Sequence, residues 1–171
     1  MRSRQLPGTA VFKDAQAVAA WLARQRKAGK TLVTTNGCFD IIHSGHIRYL
    51  YEAAKKGDLL VVGVNADTTV RRLKGEGRPL RDQADRVFTI AALAVVDAAF
   101  IFNEDDPRGF IETLKPDVHV KGGDYSLDII ERETVERNGG TVAIVSYLDG
   151  FSTSSIVGKM VSKNGMTGGT M

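Results

Sequence analysis

The sequence predicts an α/β protein built on a doubly wound, five-stranded parallel sheet with helices on both faces. Three observations carry that expectation. Short apolar runs alternate five times with segments of helical periodicity, at spacings that suit βαβ crossovers. The run Leu59-Leu60-Val61-Val62 is apolar throughout, as a central parallel strand covered on both faces should be. The helical segments also carry boundary residues: Gly29 and Gly57 follow two of them, and Asp82 precedes another.

Residues 13–28 read as an amphipathic helix, with Val18, Trp21, Leu22 and Gln25 at helical spacing and Gly29 at the C′ position. The first strand spans 31–35, and a helix over 45–56 closes at Gly57. The second strand spans 58–64. After Asn65 a short helical pattern runs to Leu73, and Gly75, Gly77 and Pro79 then form a loop. Asp82 caps a longer helix carrying Val87, Ile90, Leu93 and Ala94. The third strand is 98–102. Asp106-Pro107 reads as a cap and an N1 proline, opening a helix to Leu114. The fourth strand is 117–120, followed by a helix over 127–137 that ends at Asn138-Gly139. The fifth strand is 141–146, and a last helix starts near Ser154 and fades by Lys163. The organisation expected is an N-terminal segment and helix (1–30) packed on the core, one catalytic domain (31–163) and a loose tail (164–171).

Composition narrows the function classes. With 171 residues, 43% of them apolar, the chain can build a core without staples. Cys38 is the single cysteine, so no internal disulfide forms, and a reducing, cytoplasmic setting is expected. The first nine residues hold arginines but no apolar stretch of the signal-peptide kind. The longest apolar stretch, 90–102, is broken by Asp97 and is far short of a membrane span. A net charge of +3 fits a nucleic-acid binder and an enzyme of polyanionic substrates equally. Arg71, Arg72, Lys74, Arg78, Arg81 and Arg86 crowd one segment, for which a solvated surface run is the plain explanation.

In a doubly wound sheet the ligand sits outside the carboxyl ends of the strands, so the loops at 36–46, 65–81, 103–106, 121–125 and 147–154 should carry the chemistry. The first holds Asn36-Gly37-Cys38-Phe39-Asp40 and then His43-Ser44-Gly45-His46. Strand, glycine turn and helix N-terminus aim backbone N–H groups at one point, and two imidazoles three residues apart can face the same anion. The alternatives are a structural pair, one capping and one packed, or a zinc site. Zinc lacks partners, since only His119 and Cys38 remain as nitrogen or sulfur ligands. Asp40 is suited to orienting the loop or a histidine, and Cys38 reads as a small apolar filler rather than a nucleophile. Lys74 and Arg78, in the loop after the second strand, are placed to meet phosphates as a point charge and a fork. Gly122 and Gly123 permit backbone approach to a base or ribose, and Asp124 can accept from a hydroxyl or amine. Ser152, Thr153, Ser154 and Ser155 supply an N-cap and a phosphate cradle at once.

Together these loops resemble those of the HxGH nucleotidyltransferases, with His43-Ser44-Gly45-His46 as the signature and 152–157 as the hydroxyl-rich helix start. More narrowly, the chain is similar to the D-glycero-β-D-manno-heptose 1-phosphate adenylyltransferases. The segments that carry this are 35–40 (TNGCFD), 64–67 (VNAD), 72–79 (RLKGEGRP), 120–125 (VKGGDY) and 149–154 (DGFSTS). Phe151 and Ser154 are mild departures, and Tyr147 stands where the glycerol-phosphate cytidylyltransferases usually carry arginine. The resemblance implies a Rossmann-like sheet and transfer of AMP from ATP to a heptose 1-phosphate, giving ADP-heptose and pyrophosphate for lipopolysaccharide core synthesis. It implies His43, His46 and Lys74 as catalytic residues. It implies nucleotide contacts from Asn36, Gly37, Cys38, Phe39, Asp40, Gly45, His46, Gly123, Asp124, Ser152, Thr153 and Ser154. Sugar-phosphate contacts fall to Asp40, Asn65, Lys74 and Arg78. Mg²⁺ would be held mainly through the ATP phosphates, without a dedicated protein site. A homodimer or higher homo-oligomer and a separate heptose-phosphate kinase are implied as partners, with no nucleic acid and no membrane. The rival readings are a cytidylyltransferase acting on a small polyol or amino-alcohol phosphate, and a non-catalytic nucleotide or nucleic-acid binder.

Overall fold

In the computed structural model, residues 10–123 and 129–145 are described. The elements run β1 (Val11–Phe12), α1 (Ala15–Lys27), β2 (Leu32–Gly37), α2 (Ser44–Ala54), β3 (Leu59–Asn65), α3 (Asp67–Lys74), α4 (Gln83–Ala91), β4 (Ala98–Phe102), α5 (Arg108–Leu114), β5 (Val118–Gly122), α6 (Arg132–Arg137) and β6 (Thr141–Val145). All strands pair in parallel, in the order β1-β4-β3-β2-β5-β6. Among the described residues the sheet therefore has six strands, one more than the sequence predicts. The extra one, β1, is two residues long, too short to show a period-2 pattern, and it forms an edge against Ala99 and Phe100.

Alternation along the strands divides the core in two. Val33, Leu60, Val62, Val64, Ala99 and Val120 face α2 and α4, where they meet Tyr49, Leu50, Ala53, Val87 and Ile90. Leu32, Leu59, Val61, Ala98 and Phe100 face α1, α5 and α6, where they meet Val18, Leu22, Phe110, Ile111, Leu114 and Val135. Every residue of β3 is buried, the pattern of a strand covered on both faces.

Local chemistry sets most boundaries. Asp14 caps α1 by accepting from Ala17 N at 2.8 Å, and Asp82 caps α4 by accepting from Asp85 N at 2.8 Å. Several boundaries differ from expectation. Pro107 itself occupies the N-cap of α5, while the Asp106 carboxylate accepts from Arg108 N at 3.0 Å, so the helix starts one residue later. The first full strand continues through Asn36 and Gly37, because pairing with Gly63 and Val64 overrides their poor strand propensity. Lys74 is likewise the last residue of α3 rather than part of the loop beyond it.

The sheet order places the site. From β2 the chain winds one way through β3 and β4 and the other way through β5 and β6, so the winding reverses between β2 and β5. The crevice at the carboxyl ends of those two strands is the expected ligand position.

Candidate active site

The loop leaving β2 passes under this crevice and enters α2 at His43, whose backbone is extended (φ −139°, ψ 171°) and whose side chain makes no capping bond. His46 lies one turn on. Their rings stack with centroids 3.9 Å apart at 30°. The Nδ1 atoms of both rings are buried and, among the described residues, have no hydrogen-bond partner. Burial, with the neighbouring His43 and Lys74 adding to it, lowers the His46 pKa to about 4, while the nearby Ile41 backbone opposes the shift. Burial also lowers the pKa of His43. Near neutral pH the pair is therefore two uncharged imidazoles, each with one N–H to donate.

The loop conformation that presents them is costly and specific. Phe39 adopts φ 48°, and its ring stands edge-on to His46 at 5.5 Å. Gly37 makes room for that ring: a Cβ there would sit 3.1 Å from Phe39 Cε2 and Cζ. One turn after His46, Tyr49 is buried and donates to Val120 O at 2.9 Å, leaving Thr35 Oγ1 to donate to the phenol oxygen at 2.5 Å. This chain ties α2 to both β2 and β5, and with it the angle at which His46 meets the crevice.

Two buried charged residues join the neighbouring loops. The Asp40 carboxylate accepts from Leu80 N at 2.8 Å and Arg81 N at 3.1 Å, and Arg78 Nη1 lies 3.1 Å from its other oxygen. Asp40 is thus engaged by the 78–81 segment, which includes the cis Arg78–Pro79 peptide bond. Arg86, with no exposed surface, donates to Cys38 O, to Asn65 O at 2.7 Å, to Asp67 Oδ1 at 2.7 Å and to Arg81 O at 3.1 Å. The loops after β2 and β3 and the start of α4 all converge on that one guanidinium. Asn65 is buried beside it. Exposed Lys74 acts electrostatically on both Cys38 and His46, so it stands at the same mouth. Burial raises the Cys38 thiol pKa, against the pull of Lys74, Arg86 and Arg78, which suits an inert thiol.

Across the crevice, Lys121 at the end of β5 donates to Asn36 Oδ1 at 3.0 Å and pairs with Glu131 at 2.5 Å. Gly123, with φ 116°, donates its N–H to Val145 O at 3.0 Å. His119 is fully buried, with Thr34 Oγ1 2.8 Å from its Nδ1, and lies within β5 away from the histidine pair. Among the described residues, no three His, Cys, Asp or Glu side chains cluster as metal ligands. The donor set of imidazole N–H groups, Lys74 and backbone amides suits phosphate oxygens. Asp124, Ser152, Thr153 and Ser154 lie outside the described residues. A cavity of about 450 Å³ between α5 and α6 is lined by Glu104, Asp106, Glu112 and Glu133 with Arg108 and Arg137, and by none of the predicted site residues.

The structure brings together Asn36, Gly37, Cys38, Phe39, Asp40, His43, Gly45, His46, Asn65, Lys74 and Arg78 from the carboxyl ends of β2 and β3 and the segments that follow them. Sequence reasoning passed over Arg86, Tyr49 and Glu131. A signal for Arg86 existed: it shares a helical stripe with Val87 and Ile90, where a charged residue is out of place unless it is paired. No helix among the described residues is long and apolar enough to cross a membrane.

Residues 34–158 match the cytidylyltransferase-like family. Among curated proteins, the chain is 48% identical over 159 residues to the bifunctional protein HldE of Geobacter sulfurreducens, covering 92% of this chain and 32% of that one. It is 49% identical over 152 residues to the bifunctional protein HldE of Citrifermentans bemidjiense, covering 88% of this chain and 31% of that one. The chain thus spans about a third of the length of these relatives. Among solved structures, a lipopolysaccharide core biosynthesis protein from Thermoplasma volcanium superposes with a TM-score of 0.59 at 38% identity, covering 70% of this chain and 98% of that one.

Proposed function

Because this chain belongs to the cytidylyltransferase-like family and is a nucleotidyltransferase, we propose that it transfers AMP from ATP to D-glycero-β-D-manno-heptose 1-phosphate, releasing pyrophosphate. The observation that carries the reading is the stacked His43–His46 pair, with two buried and unpartnered nitrogens at the head of α2 beside the β2–β5 crevice. Support for the nucleotide and the sugar comes from the TNGCFD, RLKGEGRP and VKGGDY segments and from the similarity to HldE and to a lipopolysaccharide core biosynthesis protein.

The sugar-phosphate oxygen is already an anion when it attacks the α-phosphorus in line, so the site needs no strong general base. Its task is to position two polyanions and to stabilise charge as it develops. The neutral imidazoles of His43 and His46 donate to α-phosphate oxygens, and the first amides of α2 add to the same field. Lys74 neutralises phosphate at the open side, and Arg78 holds the loop through Asp40. Bound Mg²⁺ would supply further charge neutralisation on the triphosphate oxygens. In this reading the sugar phosphate is the product of a kinase reaction, and the protein works in the cytoplasm as a homo-oligomer.

The test is pyrophosphate release with a matrix of ATP, CTP, GTP and UTP against heptose, mannose and glucose 1-phosphates and glycerol 3-phosphate. Turnover confined to ATP with heptose 1-phosphate supports the reading. Preference for CTP with a polyol phosphate refutes it and favours the cytidylyltransferase alternative.

A further inference from the structure

Lys121 is unusual for a lysine at the end of a strand. Its side chain is only 17% exposed and its partner Glu131 only 5%, with the ammonium 2.5 Å from the carboxylate. Its other contact, 3.0 Å to Asn36 Oδ1, crosses the point where the winding of the sheet reverses. Asn36 is the penultimate residue of β2, directly before the glycine that accommodates Phe39.

The chemistry of this contact is one-directional. An ammonium only donates, so the amide atom it meets must be the oxygen. A terminal amide otherwise rotates readily between its two orientations. With Oδ1 held by Lys121, the two Nδ2 donors are the face left for a ligand, and donors select an acceptor such as a phosphate oxygen. Glu131 balances the ammonium, which would be costly at this depth without a counter-charge. We propose that Lys121, braced by Glu131, fixes the Asn36 amide with its N–H groups toward a nucleotide phosphate at the β2–β5 crevice. Lys121 is then a positioning residue that acts through Asn36, and the strand-end lysine of the VKGGDY segment gains a role distinct from phosphate contact. The inference rests on the nucleotide reading above.

The test compares Lys121→Met, Lys121→Met/Glu131→Gln, Asn36→Ala and the triple variant by calorimetric MgATP affinity, melting temperature and pyrophosphate-release kinetics. Lys121→Met alone strands a buried carboxylate and should lose both stability and affinity. Removing the pair together should restore the melting temperature while MgATP binding stays about 10–100-fold weak, the cost of one hydrogen bond to a charged group. Adding Asn36→Ala to the double variant should then cost less than about twofold more, because the contact is already lost. Recovery of affinity along with stability in the double variant would overturn the proposal, as would a full multiplicative loss in the triple variant. Asn36→Asp guards against a poorly folding double variant. It keeps an acceptor for Lys121 but turns an oxyanion to the ligand, so it should melt like the wild type and bind MgATP weakly; wild-type affinity there also overturns the proposal. Wild-type protein that binds MgATP but turns over no sugar 1-phosphate refutes the proposed reaction, and the binding comparison still decides the role of Lys121.

Discussion

Replacing Arg86 with methionine removes four hydrogen bonds from a side chain that has no exposed surface. Three of the acceptors, Cys38 O, Asn65 O and Arg81 O, are backbone carbonyls, and each costs about 1 kcal/mol or more if left unpaired and buried. The fourth, the Asp67 carboxylate, is 22% exposed and regains part of its hydration, so its share is about 1–2 kcal/mol. The total of about 4–5 kcal/mol agrees with the ~3–5 kcal/mol typical of breaking a buried ion pair from one side. Against a stability of about 5–15 kcal/mol this is a large fraction, and for a chain of this size it corresponds to a fall in melting temperature on the order of 10–20 °C. Urea unfolding followed by far-UV circular dichroism and by the single tryptophan, Trp21, measures it. Arg86→Lys, which keeps a charge but not the fork, should recover less than half the loss. Because the three joined segments form one wall of the site, MgATP affinity should fall in Arg86→Met even at a temperature where it is folded. A loss below about 1 kcal/mol would show that Arg86 does not hold these loops, and the account of the site's rigidity would fail with it.

His46→Ala should lower kcat by a factor on the order of 10²–10³ with a smaller effect on KM for ATP; a variant within about threefold of wild type in steady-state pyrophosphate release removes His46 from the chemistry. Lys74→Ala should cut kcat/KM about tenfold or more while the melting temperature stays put, since the side chain is exposed; a variant that only melts earlier makes Lys74 structural. His119 should make the fold acid-sensitive. Its folded pKa lies near 3 through burial while the unfolded chain titrates near 6.5, so stability is full above pH 6.5 and is lost as pH falls from there toward 3. The loss is about 2 kcal/mol by pH 5, and His119→Asn, measured by urea unfolding at both pH values, should lack it; identical pH profiles would refute this. NMR titration of His46 should give a midpoint near 4, and a midpoint near 6.5 would mean the ring is solvated.

The elements of the fold were legible because their signals are local. The apolar run of β3, the Asp82 cap and the His43-Ser44-Gly45-His46 segment each lie within a few neighbouring residues. The two-residue β1 was not legible, since Val11 and Phe12 become a strand only through the partners Ala99 and Phe100. Asp40 shows the same limit within the site. Its type and place allowed either a ligand contact or a loop tie, and the fold engages it with Leu80 N, Arg81 N and Arg78, about forty residues away.

The sequence by itself determined the α/β class, the strand-end loops where a ligand is expected, the spacing of the two histidines and, through its motif segments, the family. These depend on period, turn chemistry and residue type over short stretches of chain. The tertiary structure alone decided that β5 lies against β2, which sets the crevice and brings Lys121 to Asn36 across 85 residues of sequence. It also decided that Arg86, one of six clustered basic residues, is buried and holds three segments together, and that the histidines are desolvated enough to stay neutral. Burial and cross-strand neighbours are properties of the packed whole, so no local pattern contains them.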